Sequence, residues 1–358
     1  MHTSATTDRP RILTGDTPTG RLHIGHYVGS VRRRIELQDS HECYIIIANM
    51  HAFTTRADQP QAIRSDTLEI VRDYLAMGLD PERVAIFLQS EVPAIAELTF
   101  LFSMLLPFNR VMRNPTLKDE LTVKGLDDKH SFGFPLYTVG QTADILAFRP
   151  VAVPVGEDQV PHLELTREVA RRFNQLYCNV PDTAEDDEHQ QHGGVFPVPR
   201  ADVGTVGRLV GTDGVQKMSK SLNNAIFIAD TPKEVKKKLG KLYTGRQSPD
   251  EPGDIHNALF QYVRTFIQDE SRVAELERAY AAGDKIGDGH IKVEVAEHIN
   301  ALLEPMRERR ARYEGDDAVI LDILREGSRR ANQCAETTLA QAKDAAGLGF
   351  FSRTLTIS

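Results

Sequence analysis

Tryptophan is missing from these 358 residues, and cysteine occurs only as Cys43, Cys178 and Cys334. The three cysteines are isolated and more than about a hundred residues apart, so neither a disulfide framework nor a zinc or iron–sulfur spacing can be written. Any metal is expected to arrive with a substrate. Long apolar runs are also missing: Tyr44 to Ala48 and Ala143 to Phe148 fall well short of the roughly 18 residues a membrane-spanning helix needs. Met1 to Pro10 is polar and resembles neither a secretory signal nor a transit peptide, so a cytoplasmic protein is expected. Nor is there a surplus of positive charge. With 43 lysines and arginines against 51 acidic residues the net charge is -8, which argues against a general polyanion-coating role. One local basic stretch remains, Lys233, Lys236, Lys237, Lys238, Lys241 and Arg246, in a segment that reads as helical from Pro232 to Leu239. A charge run of this kind, taken alone, is a solvated helix face.

What the chain does contain, 41% hydrophobic and 26% charged residues, is enough to bury a large core in two domains. The first two hundred residues alternate short apolar runs with amphipathic stretches, the pattern of an α/β fold with a parallel sheet covered by helices. Strands are expected at Arg11 to Thr14, Tyr44 to Asn49, Val84 to Gln89 and Val151 to Pro154. Between the second and third, Gln61 to Met77 has helical spacing and stops at Gly78. The alternation breaks after Leu98, where an apolar helix to Leu106 opens an insertion reaching to about residue 135. Residues 182 to 194 are acidic and lack periodicity, which predicts an exposed, disordered loop. Its His189 and His192 specify no coordination geometry. After Pro232 the pattern is helical nearly to the end, over Ile255 to Gln268, Arg272 to Ala281, Ile291 to Glu314 and Asp317 to Lys343.

Two segments carry chemistry. The first, Thr14 to His26, follows a strand and enters an amphipathic pattern, with glycines that permit close backbone approach to a ligand. His23 and His26 stand three apart, so both imidazoles can face what the free helix N–H groups bind, and phosphate is the natural ligand. The second runs from Val203 to Ser221. Its glycines suit a mobile loop, and Lys217 and Lys220 supply point charges matched to triphosphate oxygens. A short lysine–serine run by itself is usually only surface.

Together, His23-Ile24-Gly25-His26 and Lys217-Met218-Ser219-Lys220-Ser221 resemble the paired HIGH and KMSKS signatures of class I aminoacyl-tRNA synthetases. Gln89 to Pro93, Ala143 to Leu146 and Val153 to Arg167 narrow the likeness to bacterial tryptophanyl-tRNA synthetases, over about Arg11 to Gly349. The resemblance implies a Rossmann-like nucleotide-binding domain (11–221) behind a ten-residue extension, and a helical domain (222–325) that meets the tRNA anticodon. A C-terminal helix and tail (326–358) would pack back on the first domain. It also implies ATP with Mg2+ as a substrate complex, L-tryptophan, tRNA(Trp) and a homodimer formed through the helices after Leu98.

The likeness assigns ATP contacts to Thr17, Pro18, Thr19, Gly25, His26, Gly156, Glu157, Asp158, Leu209, Lys217, Met218, Ser219, Lys220 and Ser221. Catalytic roles would fall to His23, His26, Lys118, Lys217 and Lys220. Asp144 would accept the indole N–H, with Tyr137, Gln159, Gln141 and His51 around the amino acid. Asp144 lies inside an apolar run, where a carboxylate needs a partner. Thr17 and Gln141 depart from the residues common among bacterial relatives. Two other readings stand beside this one. A small-molecule nucleotidyltransferase shares a HIGH-like turn, although the long helical region disfavours it, and a non-charging regulatory paralogue would not need His23, His26, Lys217 and Lys220 intact.

Overall fold

The computed structural model describes residues 9–123, 125–126, 130–156, 159–203 and 209–356. In it β1 (Arg11–Asp16), β2 (Glu42–Ile47), β3 (Val84–Leu88), β4 (Ala152–Val155) and β5 (Arg200–Val203) form one parallel sheet in the order β3-β2-β1-β4-β5. This is the α/β architecture read from the sequence. β1 and β2 are aligned from Arg11 opposite Glu42 to Asp16 opposite Ile47. Side chains of successive strand residues enter different cores: Ile12, Cys43, Ile45 and Ile86 lie on one face, Leu13, Tyr44, Ile46 and Phe87 on the other. A strand buried on both faces needs no polar alternation, which is why Tyr44 to Ala48 is continuously apolar. β5 was not legible, because Arg200 to Val203 is largely exposed and makes no apolar run.

β1 feeds a helical stretch built of α1 (Ile24–His26), a π-helical turn over Tyr27–Val31, and α2 (Arg32–Leu37). Then come α3 (Phe53–Arg56) and α4 (Pro60–Met77), the latter ended by Gly78 at φ 115, a conformation that favours glycine. The inserted apolar helix α5 spans Pro93–Ser103 and so begins earlier than its apolar run suggests. Proline fits the first helical position because that N–H has no intrahelical partner. α6 (Phe108–Met112), α7 (Pro115–Val123), α8 (Gly133–Leu146) and α9 (Val160–Cys178) follow.

The remaining helices are α10 (Pro232–Gly240), α11 (Ala258–Phe266), α12 (Glu270–Ala282), α13 (Asp288–Ala311) and α14 (Asp317–Ala345). The core on one sheet face runs without a break into Val235, Leu259, Tyr262, Val295 and Ile299 of these helices. α14 is continuous across residue 325 and lies directly on β3. A Cβ at Gly327 would fall 1.8 Å from the Ile86 carbonyl oxygen, and the Leu88 N–H donates to Ser328 Oγ at 3.3 Å. The edge strand is thereby covered. No helix among the described residues is long and apolar enough to cross a membrane.

The acidic segment 182–194 corrects the expectation of a disordered loop with two exposed imidazoles. His189 is 1% exposed, with Nδ1 3.2 Å from Asn174 Nδ2, and only His192 is open to solvent. Arg167 and Arg171, one turn apart on α9, both donate to Asp186, while Asn174 exchanges hydrogen bonds with the Phe196 backbone. The i, i+4 arginine pair was the signal that this loop is pinned to a helix.

Candidate active site

The end of β1 brings the first motif to the carboxyl edge of the sheet, where open α/β folds bind ligands. Gly15 tolerates no side chain there, since a Cβ would sit 2.0 Å from the Ile46 carbonyl oxygen. Beneath the motif, Arg34 donates to Asp16 at 2.6 Å and the Tyr74 hydroxyl bonds the same carboxylate. Burial opposes ionisation of Asp16, but Arg34 outweighs it and holds the carboxyl at about 2.

His26 Nδ1 accepts the backbone N–H of His23 at 3.2 Å, and the two rings lie 3.8 Å apart. Burial, with each ring and Lys217 adding repulsion, drives His23 down to about 2; burial also lowers His26. Both imidazoles are therefore neutral at neutral pH. An accepting Nδ1 on a neutral ring fixes the proton on Nε2, so His26 keeps one N–H donor for a ligand. His23 Nδ1 is buried and unpaired, a polar atom that a substrate group would satisfy.

The second motif packs against the first. Ile24 N–H donates to Ile226 O at 2.9 Å and Ile228 N–H to Leu22 O at 3.1 Å, so the chain leaving residue 221 pairs with the chain entering His23. Met218 is 2% exposed, and its N–H donates to Leu209 O at 3.1 Å. Gly25 is required between them: a Cβ would lie 2.9 Å from His23 Nδ1 and 3.5 Å from the Met218 sulfur. Lys220 Nζ donates to Thr19 O at 2.9 Å, and Gly20, at φ 104, leaves room for that ammonium. Arg56 holds the neighbouring carbonyl, Pro18 O, at 2.9 Å and pairs with Asp66 at 2.7 Å. Lys217 and Lys220 are exposed, Ser219 Oγ and Ser221 Oγ are 3.0 Å apart, and Thr17 and Thr19 face solvent. Asn224, which sequence reasoning missed, is the keystone of this loop. Its Oδ1 accepts Ser219 N–H at 2.7 Å and its Nδ2 donates to Asp213 at 2.8 Å and Lys217 O at 3.2 Å.

The other end of the site is buried. Asp144 on α8 is 3% exposed, and its partner in this structure is Gln89, whose Nε2 donates to both carboxylate oxygens at 2.9 and 3.0 Å. Burial raises Asp144 to about 7, with Gln89 pulling the other way. Gln89 Oε1 also accepts the His51 N–H at 3.1 Å. His51 Nε2 stands 3.6 Å from Asp144, and burial together with His162 lowers that ring to about 4. Tyr137 lies edge-on to His51 and His162 and bonds His162 Nε2 at 3.4 Å, while Asn114 meets Nδ1 of the same ring at 3.3 Å. Gln141 donates to Gln159 at 3.3 Å. A carboxylate with two donors from one amide keeps acceptor capacity for a further N–H. Gln89, Asn114, His162 and Arg34 carried no individual signal, being polar residues made informative only by their burial.

The remaining assignments divide. Gly156 is exposed beyond β4, whereas Glu157 and Asp158 lie outside the described residues. Lys118 is exposed on α7, and no hydrogen bond or ion pair of its side chain ties it to the pocket among the described residues. Those residues also contain no group of three or more His, Cys, Asp or Glu placed to hold a metal ion. Arg246 is not part of an exposed basic face: its side chain is 4% exposed and donates to Glu251 O and Ile286 O, 2.8 Å each.

Residues 5 to 304 match the family described as tRNA synthetases class I (W and Y). The chain is 43% identical over 343 residues to a tryptophan–tRNA ligase of Treponema pallidum, covering 94% of this chain and 97% of that one. It is 40% identical over 348 residues to the tryptophan–tRNA ligase of Clostridium longisporum, covering 95% and 98%. Among solved structures, tryptophanyl-tRNA synthetase from Campylobacter jejuni complexed with ADP and tryptophan superposes with a TM-score of 0.78. That pair shares 32% identity, over 94% of this chain and all of the other.

Proposed function

The chain belongs to the class I tRNA synthetases of the tryptophan and tyrosine group, and from that premise we propose that it is a tryptophan–tRNA ligase. It activates L-tryptophan with ATP and passes the amino acid to the 3′-terminal adenosine of tRNA(Trp). In the first step a carboxylate oxygen of tryptophan bonds to the α-phosphorus, the bond from phosphorus to the bridging oxygen breaks, and pyrophosphate leaves with that electron pair. No side-chain nucleophile is needed, so catalysis is positioning and charge stabilisation. His26 Nε2–H serves as a donor to phosphate oxygen that is neutral and already oriented. Lys220 exchanges the Thr19 carbonyl for a phosphate oxygen, and Lys217 adds a second cation. Mg2+ travels with the triphosphate. Gly156, Glu157 and Asp158 are assigned to the adenosine.

Asp144 accepts the indole N–H, oriented by Gln89 and flanked by His51, with Tyr137 and Gln159 toward the amino-acid ammonium and Gln141 near the indole. A phenol hydroxyl can also donate to a carboxylate, so Asp144 by itself does not exclude tyrosine. The full-length similarity to tryptophan enzymes supports the choice. The helical region 222–325 is assigned to the tRNA anticodon, whose unpaired bases can be read by stacking and edge contacts. On α10 and just beyond it, Lys233, Lys237 and Lys241 are exposed, whereas Lys236 and Lys238 are paired with Glu297 and Asp230. A homodimer is supported by apolar surface on and after α5, where Phe100, Met104 and Phe108 are 70, 65 and 60% exposed. The three free cysteines and a tRNA substrate fit the cytoplasm.

The observation that carries the reading is the meeting of the two signatures, with Gly25 between His23 and Met218 and Lys220 on the Thr19 carbonyl. Charging of tRNA(Trp) by the purified protein with ATP and each amino acid tests it. Acylation with tryptophan is the expected result, and acylation with tyrosine instead, or with none, overturns it.

A further inference from the structure

The loop that carries Lys217 is gripped at its base by two adjacent residues of α11, in the helical region. The Val210 N–H donates to Gln261 Oε1 at 2.9 Å, and the Tyr262 hydroxyl donates to the Val210 carbonyl at 2.7 Å. Both backbone groups of one residue are therefore held by one helix turn. Val210 is the residue that bridges Lys217 across the hairpin, and Gly211 N–H to Gln216 O at 2.8 Å closes the next rung. Tyr262 is wholly buried, and Asn257 caps the helix through the Phe260 N–H, so the grip comes from a fixed element.

The hairpin base also borders open space. A cleft of about 980 Å³ lies there, lined by Val28 and Arg32 of the first helical stretch, Val210 and Val215 of the hairpin, and Gln261 and Thr265 of α11. Asn224 ties the turn at Asp213 to Lys217 and Ser219, and α11 holds the base of the hairpin at Val210.

We propose that Gln261 and Tyr262 are positioning residues for adenylate formation, acting through Val210 to place Lys217 over the His23–His26 turn. This rests on the ligase reading above. It makes the helical region a structural support of the phosphate loop in addition to its assigned place at the tRNA. A change in the attitude of α11 then reaches Lys217 through two hydrogen bonds and one β-bridge.

The test is a double-mutant cycle on tryptophan-dependent exchange between pyrophosphate and ATP, with wild type, Gln261→Ala, Lys217→Ala and the double variant, each checked by thermal unfolding. Gln261→Ala is expected to lower kcat about tenfold and raise KM for ATP, leave KM for tryptophan unchanged, and add less than about twofold in the Lys217→Ala background. An equal factor in both backgrounds, or no loss in the single variant, overturns the proposal. Should Gln261→Ala fail to fold, Tyr262→Phe, which removes only the hydroxyl, enters the same cycle with the same expectation. Absence of exchange in the wild type defeats the ligase reading, and this proposal with it, before any variant is compared.

Discussion

The proposed amino-acid end of the site is built on or beside regular structure, with Asp144 on α8, Gln89 just after β3 and His162 on α9, while the proposed ATP end is built from loops whose lysines reach into solvent. At the first end Asp144, Gln89, Asn114 and His162 are buried and held by other side chains. At the second, Lys220 rests on a backbone carbonyl, which the proposed role has it release for a phosphate oxygen. The contrast fits the chemistry proposed for each end. Choosing one side chain among twenty needs a donor or acceptor that cannot rearrange, because an unpaired buried group is what rejects the wrong ligand. Stabilising charge that appears on a leaving pyrophosphate needs cations that arrive with the substrate and let it go.

The comparison breaks most sharply at Asp144. Asp144→Ala is expected to lower kcat/KM for tryptophan by on the order of a thousandfold while KM for ATP moves less than about twofold. Unchanged tryptophan kinetics would remove its role. Next, Lys217→Ala is expected to cut kcat of pyrophosphate exchange by roughly 10² to 10³ without weakening tryptophan binding. Binding is easily followed, since the chain has no tryptophan and any indole emission belongs to the ligand. Weakened tryptophan binding in that variant would show that the two ends are not separate. Asn224→Ala sharpens the picture of the ATP end: it strips Ser219 N–H of its acceptor and Asp213 of a donor, and should cost about tenfold in kcat and about 1–3 kcal/mol in stability. Steady-state exchange and denaturant unfolding read both, and a loss of stability without loss of rate would make Asn224 a folding residue only.

The smallest effect concerns pH. Asp144 is raised by burial from 3.8 to about 7, so the folded chain binds that proton more tightly than the unfolded one. Its contribution is least unfavourable at low pH, grows costly as pH rises above about 4, and is fully costly above about 7. Asp144→Asn should therefore raise the Tm at pH 8, on the order of a few degrees, and leave it nearly unchanged at pH 4. An equal shift at both pH values would mean that the carboxylate is not destabilised by burial.

The same contrast governs what could be read from residues alone. The strands near β1 to β4 and the long helices were legible because both faces of the sheet are buried and the helices keep one apolar stripe. His23, His26, Lys217 and Lys220 were legible because short motifs on loops carry their own chemistry. Asn114 and Asn224 were not, and Gln89 and His162 stood in stretches that carried the family likeness without showing a role of their own, since an amide or imidazole shows its importance only once burial forces it to find a partner. β5 escaped because an edge strand with exposed residues has no apolar run. His189 escaped because its burial is decided by Asn174, on α9 rather than in its own loop. The five-residue π-helical turn at Tyr27–Val31 has no signature in its spacing.

Amino-acid-dependent exchange of pyrophosphate into ATP, run with each of the twenty amino acids in the presence of Mg2+, tests the central claim most directly. Exchange with tryptophan alone is the result this account requires; exchange driven by tyrosine, or by no amino acid, would contradict it.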